Sequence, residues 1–346
     1  MNSLYQSGKY LEEVKSFSQK LDLTFLRNKS ILISGATGMI ASLFIDAILF
    51  NREFPIEIQA ITRNKKNFYQ RFSIYQNDQR LQPFVADVKE PLNLSGVFDY
   101  VIHAASYTDP KNYATYPIDT ILVNILGTKN LLDITAKNKA TFMLLSTCEI
   151  YGEGSKELLA EEDYGYLDPL VVRNGYNESK RASESLTIAY SYEKDIKVLL
   201  PRLSRTFGPT MHLTDSKAIS QFMKRAVWGE NIILKSRGLQ KYSYLYVFDA
   251  VSAIFHLLEK GENRVAYNVA YADEVTLKEM AEKIANIENV QVEMIIEDEF
   301  AGRGYSLATK ALQDTTRLLN SGWKPLYTLD SGLEKTMKIL KERIEQ

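Results

Sequence analysis

The chain has 346 residues, 45% hydrophobic and 25% charged, with a formal net charge of −1. This is an ordinary globular balance, with no basic footprint for nucleic acid or an anionic membrane. One cysteine and three histidines exclude an internal disulfide, leave no material for a His/Cys metal centre, and fit a reducing, cytoplasmic setting. No apolar run reaches membrane-spanning length, and the N-terminus carries no signal-peptide pattern.

In chain order, residues 1–28 read as an amphipathic helical lead-in, with Tyr10, Leu11, Val14 and Phe17 near helical spacing and packed on the domain surface. The next stretch organises the rest. Ile31 to Ser34 is a short buried strand; Gly35-Ala36-Thr37-Gly38 turns; Met39 to Leu49 follows at once as a helix. Strand, glycine turn and helix form a phosphate cradle. Gly35 permits the tight turn, Gly38 lets a pyrophosphate approach the backbone, and small Ala41 lets helix and strand pack closely. Gly35, Thr37, Gly38, Met39 and Ile40 are therefore candidate cofactor contacts.

Ile56 to Thr62 reads as a second strand, and its end is where an adenosine ribose is met. No acid stands there to bind the ribose hydroxyls of NAD. Arg63 does, which leans to the 2′-phosphate of NADP, or else to stacking on adenine. Phe84 to Asp87 reads as a third strand with Asp87 and Val88 at its end, and Tyr100 to Ala105 as a fourth. Ala104, Ala105 and Ser106 then pass beside the cofactor, while His103 is expected to be a satisfied core residue. Pro117 opens a long helix. Its Ile118, Ile121, Leu122, Ile125, Leu126, Leu131 and Leu132 cover more than one stripe, so one side should face the sheet and another a partner subunit.

Thr141 to Ser146 reads as a fifth strand, running into Thr147-Cys148-Glu149. A hydroxyl and a carboxylate at the ligand-facing edge of an α/β sheet suggest chemistry, or a polar turn. No local base supports Cys148 as a nucleophile. Residues 153–172, with Glu157, Glu161, Glu162 and Asp163, read as a solvated acidic loop over the mouth of the site. From Arg173 a helix runs to about Lys194, with Tyr176 and Lys180 one turn apart on one face. A tyrosine near pKa ~10 is a poor base at neutral pH, but a nearby ammonium and the positive nicotinamide would favour its phenolate. Tyr176 is then a candidate base for a hydroxyl proton during hydride transfer. Further on, Ser216–Trp228 reads as a helix, 232–235 and 242–247 as strands, and helices are expected near 277–287 and 333–344.

Gly35-x-x-Gly38-x-x-Ala41 with Tyr176-x-x-x-Lys180 resembles an extended short-chain dehydrogenase/reductase of the NAD-dependent epimerase/dehydratase type. Asn124, Pro201-Arg202, Gly208-Pro209, Tyr246-Val247-x-Asp249, Tyr267-Asn268-Val269 and Gly322-Trp323-x-Pro325 match later landmarks. Asn112-Tyr113, Pro117, Thr120, Asn124, Gly127-Thr128, Ser146-Thr147-x-Glu149-x-Tyr151-Gly152 and Arg173 are most similar to UDP-glucuronate decarboxylases. The resemblance implies roles: Thr147 at the sugar 4-hydroxyl, Glu149 near C5, Tyr176 as base, Lys180 on the nicotinamide ribose, and Tyr113 and Arg173 at the substrate. There are three departures. Cys148 replaces the acid that dehydratases carry after the threonine. Tyr242 replaces an arginine that meets charged substrate groups. Arg205 replaces an asparagine and either returns the charge or marks a different substrate, so Arg205 and Tyr242 are also candidate substrate contacts.

The expectation is an α/β, Rossmann-type doubly wound parallel sheet with a smaller C-terminal α/β lobe. Its parts are a lead-in at 1–28, a dinucleotide-binding domain at 29–203 plus about 240–268, and a nucleotide-sugar lobe at about 204–239 plus 269–346. NAD or NADP, tightly bound and recycled without net oxidation, would serve a nucleotide-activated sugar through a transient 4-ketone. Decarboxylation leads dehydration, epimerisation and 4-keto reduction; a non-catalytic dinucleotide sensor is the rival of another class. The assembly expected is a homodimer, with no nucleic acid, membrane or metal.

Overall fold

The computed structural model describes residues 4–154, 156–296 and 310–345. Its main sheet is parallel. Across it run Val265–Val269, Lys197–Leu203, Thr141–Leu144, Tyr100–His103, Lys29–Ser34, Ile56–Thr62 and Leu81–Val85, and Ser146–Thr147 pairs beside Lys197–Leu203. Counting outward from Lys29–Ser34, the chain adds strands first on one side and then on the other, as in doubly wound dinucleotide folds.

The first strand shows why the sheet is buried on both faces. Ile31 and Ile33 join one hydrophobic cluster while Leu32, between them, joins another. Alternate side chains point to opposite faces, so a continuous apolar run is what two covered faces require. Helix Met39–Leu49 covers one face with Val247–Lys260, where Phe44 stacks on Phe255 at 4.5 Å. Pro117–Asn138 and Asn174–Lys194 cover the other. These two helices are joined by buried hydrogen bonds, from Asn124 Nδ2 to Ser179 Oγ at 2.9 Å and from Ser183 Oγ to the Asn124 carbonyl at 2.9 Å.

Several sequence expectations shift. The third strand is Leu81–Val85, ending two residues before Asp87. The fifth breaks at Leu145, whose carbonyl is used elsewhere, and resumes as Ser146–Thr147. The run 242–247 is not one strand: Lys241–Tyr242 and Tyr244–Tyr246 pair in different sheets, and Val247 opens a helix. The acidic loop is not uniformly solvated. Glu161 is buried, accepting from the Asn268 amide at 2.8 Å. Ile118 and Leu126 of the long helix remain exposed in the single chain.

The second lobe stacks Ala218–Val227, Leu277–Glu288 and Leu329–Glu345. The lead-in helix Gly8–Ser18 joins it to the main sheet. Tyr5 and Tyr10 reach buried Asp46, which Arg71 pairs at 2.8 Å, while Ser7 meets Glu342 at 2.6 Å and Lys335 meets Glu13 at 2.5 Å.

Candidate active site

Parallel neighbours end on the same edge, so the sheet brings its strand ends together. Asp87 and Val88, Arg63, Gly35, Ala104 to Ser106 and Thr147 follow five laterally adjacent strand positions. The glycine turn is specified by contact as well as by pattern. Gly35 has φ of +68°, and a Cβ there would lie 2.6 Å from the Ala104 and Ala105 backbone. Ser34 holds that approach: its Oγ accepts from the Ala104 and Ala105 amides, both at 3.2 Å. Its own hydrogen is left for His103 Nδ1, 2.8 Å away. Burial lowers His103 to a pKa of about 3, so the ring is neutral; it is a core residue as expected, but only Nδ1 is satisfied and the buried Nε2 has no hydrogen-bond partner among the described residues.

Gly38 caps helix Met39–Leu49 without a side chain. The helix start therefore keeps amides and a positive dipole end for an anion. A Cβ on Gly38 would meet only the Gly35 carbonyl, at 3.1 Å. The cradle thus fits a dinucleotide pyrophosphate. Arg63 is exposed at the end of the second strand, donating to the Tyr107 hydroxyl at 3.1 Å. Asp87 lies near Lys89, at 3.8 Å.

Tyr176 is buried at the start of its helix. The Tyr113 ring stacks on it, with centroids 4.7 Å apart and planes at 24°. The hydroxyls of Thr147 and Tyr113 both favour the ionised form of the Tyr176 phenol. Thr147 Oγ1 accepts from the Glu149 amide at 3.2 Å, so its hydrogen is free to donate to Tyr176. Lys180 lies one turn on. Its Nζ donates to the Leu145 carbonyl at 2.9 Å, at the break in the fifth strand. Burial pulls Lys180 down to a pKa of about 8.

The expectation that the ammonium lowers Tyr176 needs correction in the unliganded chain. Burial dominates and pushes the phenol up, opposed by the Thr147 and Tyr113 hydroxyls rather than by Lys180. Charge supplied with a bound dinucleotide has to do the rest.

Glu149 is clamped. Its carboxylate takes Arg173 at 2.7 Å and Arg205 at 3.2 Å, and Asn177 Nδ2 donates to its backbone carbonyl at 2.7 Å. These side chains are nearly enclosed, Arg173 13%, Glu149 16% and Arg205 21% exposed. Burial raises the Glu149 carboxyl, but the two guanidiniums outweigh it and the net pKa is lowered. It stays anionic at neutral pH. Arg205 lies 3.7 Å over the face of Tyr242 and 3.9 Å from Cys148 Sγ. It gets there because Arg205–Phe207 pairs in parallel with Tyr244–Tyr246, Arg205 opposite Tyr244. Burial raises Cys148 to about 11, so it is an inert thiol rather than a nucleophile.

The structure therefore links Thr147, Glu149, Tyr176, Tyr113, Arg173, Arg205 and Tyr242 in one run of contacts, with Lys180 one helical turn from Tyr176 and turned to the Leu145 carbonyl. Sequence reading missed Asn177, although its spacing of four from Arg173 put both on one helical face. It also missed Asp109 and Ser216, which join only in three dimensions. Among the described residues no His/Cys/Asp/Glu group could hold a metal, and no helix is long and apolar enough to cross a membrane.

Fold and site together define an extended short-chain dehydrogenase/reductase, with its glycine turn and Tyr–Lys pair at one sheet edge. Residues 31–270 match the NAD dependent epimerase/dehydratase family, and the chain belongs to that family. It is 30% identical over 312 residues to UDP-glucuronic acid decarboxylase 5 of Arabidopsis thaliana, covering 88% of this chain and 87% of that one. It is 28% identical over 343 residues to UDP-glucuronic acid decarboxylase 1 of Xenopus tropicalis, covering 96% and 77%. The fold is also that of UDP-glucuronic acid 4-epimerase from Bacillus cereus, solved with UDP-glucuronic acid and NAD. That structure has a TM-score of 0.75 and 19% identity, over 90% of this chain and 99% of the other.

Proposed function

We propose that this chain is a nicotinamide-dependent decarboxylase of a UDP-activated uronic acid, acting through a transient 4-ketone. The observation that carries the reading is Arg205. It shares one carboxylate, Glu149, with Arg173, and takes the longer of the two contacts. An incompletely matched guanidinium in an enclosed site favours an anionic ligand group, and a uronate carboxylate supplies one where a neutral hexose does not. The decarboxylase relatives and the uronate-bound neighbour support the same substrate class.

A nicotinamide bound here would supply a reversible hydride acceptor for sugar C4. Gly35 to Ile40 hold its pyrophosphate, Lys180 its ribose, and Arg63 favours NADP over NAD by supplying a cation where an acid would bind ribose hydroxyls. Tyr176 removes the 4-hydroxyl proton, and Thr147 orients that oxygen. The ketone stands β to the C6 carboxylate, so breaking the C5–C6 bond releases CO2 and leaves its electron pair as an enolate on the C4 oxygen. Thr147 and Tyr176 donate hydrogen bonds to that oxygen, and C5 then takes up a proton. Arg173 and Arg205 orient the carboxylate, with Glu149 holding the two guanidiniums in place. Dehydration is less favoured, because a thiol at about 11 replaces the acid that would protonate a leaving hydroxyl.

Two copies pair through the helices Pro117–Asn138 and Asn174–Lys194, covering exposed Ile118 and Leu126 in a four-helix contact. The decisive experiment is NMR of the purified protein with UDP-glucuronate, UDP-glucose and UDP-galactose, with NAD and with NADP. Loss of C6 from UDP-glucuronate as bicarbonate, with a pentose product, is expected. Turnover of the neutral hexoses with UDP-glucuronate untouched overturns the reading.

A further inference from the structure

We propose that Asp109 is a positioning residue that acts on Tyr176 through Tyr113 and ties the base to closure of the second lobe. The proposal rests on the reading of Tyr176 as the base at the 4-hydroxyl.

The Asp109 carboxylate has two sets of partners. On its own side it caps the short helix Pro110–Thr115, accepting from the Lys111 amide at 2.9 Å, and its backbone carbonyl takes the Asn112 and Tyr113 amides at 3.0 and 3.2 Å. On its other side it accepts from Ser216 twice, from the amide at 2.7 Å and from Oγ at 2.5 Å. Next to this, Lys217 Nζ reaches Thr108 Oγ1 at 3.4 Å. Ser216 belongs to a stiff segment: Lys224, on helix Ala218–Val227, donates to the carbonyls of Leu213 and Asp215 at 2.8 and 2.9 Å. Burial raises the Asp109 carboxyl, but its bonds to Ser216 and Lys111 lower it further, so it stays an ionised acceptor at neutral pH.

The helix it caps has six residues, too few to hold itself together in water. Its placement therefore depends on its cap and on what the cap is fastened to. Four residues after Asp109 stands Tyr113, its ring stacked on Tyr176 at 4.7 Å and its hydroxyl favouring ionisation of the Tyr176 phenol. A donor on that oxygen favours phenolate. The chain of contacts runs from the second lobe through Ser216 and Asp109 to Tyr113, and ends on the base. With the lobe seated, Tyr176 keeps its second donor; with the latch open, the donor leaves and the phenol becomes harder to ionise. The base is then strongest when the lobes are closed around a substrate.

The test is the pH dependence of the first-turnover reduction of nicotinamide with saturating UDP-glucuronate, in wild type, Tyr113→Phe, Asp109→Asn and the double variant. Rate through a phenolate rises with pH, and each unit added to the Tyr176 pKa lowers the neutral-pH rate about tenfold while leaving the alkaline plateau unchanged. Tyr113→Phe and Asp109→Asn should both move the rising limb to higher pH, and the double variant should move it no further than Tyr113→Phe alone. Ser216→Ala, which leaves the cap intact, should give a smaller shift in the same direction. An unmoved limb in Asp109→Asn overturns the proposal, as does an equal shift in the Tyr113→Phe background. If wild type gives no reduction with UDP-glucuronate, the substrate reading fails on its own account. The latch is then read by hydrogen exchange without substrate, where Asp109→Asn and Ser216→Ala should speed exchange at the Asn112 and Tyr113 amides. Unchanged exchange refutes it.

Discussion

Lys180 offers a quantitative check on the site, independent of any substrate. The Nζ is buried against the Leu145 carbonyl, and its pKa falls from 10.5 to about 8 because burial penalises the ammonium. Below about pH 8 the folded and unfolded states both carry the proton, so the desolvation cost is constant. Between about 8 and 10.5 the unfolded chain binds more protons than the folded one, and stability must rise with pH. Two and a half units amount to about 3 kcal/mol in full, of which about 2.5 kcal/mol accrues between pH 7 and pH 10. Lys180→Met removes this titration and leaves the other ionising groups in place. The unfolding free energy of wild type minus that of Lys180→Met should therefore climb by about 2.5 kcal/mol over that range. Urea unfolding of the cofactor-free protein, followed by the fluorescence of Trp228 and Trp323, measures it. A pH-independent difference would refute the buried-ammonium account. A falling difference would reverse its sign and place Lys180 in a stabilising ion pair.

Gly38→Val should leave the fold intact, since its nearest clash is a single carbonyl at 3.1 Å, yet abolish dinucleotide binding by calorimetry; undiminished binding would remove the cofactor site. Arg63→Asp should weaken NADP more than NAD, and equal weakening would remove the preference. Glu149→Gln should still oxidise C4 but release its grip on Arg205, slowing the later step by about 10²-fold through misplacement of the substrate carboxylate, so that reduced nicotinamide accumulates in a single turnover. A wild-type steady-state rate would show that the carboxylate is not needed. Sedimentation at micromolar concentration should show a dimer that Leu126→Glu dissociates, and a monomeric wild type would count against the four-helix contact.

Features whose causes lie within a dozen residues are legible in the sequence. An apolar run, two glycines and an uncapped helix start are local: the strand expected from Ile31 begins two residues earlier at Lys29 and ends at Ser34, and the helix is Met39–Leu49 as expected. The Tyr176–Lys180 spacing is fixed by one turn of helix, and Asn174–Lys194 was legible for the same reason. Ionisation and partnership were decided by tertiary structure. Lys180 faces a carbonyl freed where the fifth strand breaks, not the phenol one turn away. Glu149, Arg173 and Arg205 come from three separate elements, and only strand pairing sets Arg205 over Tyr242. Glu161 reads as one more acid in a polar loop, yet it is buried beneath the backbone of Asn268, more than a hundred residues on. A side chain's charge depends on what surrounds it from every direction, and a one-dimensional pattern holds only the neighbours along the chain.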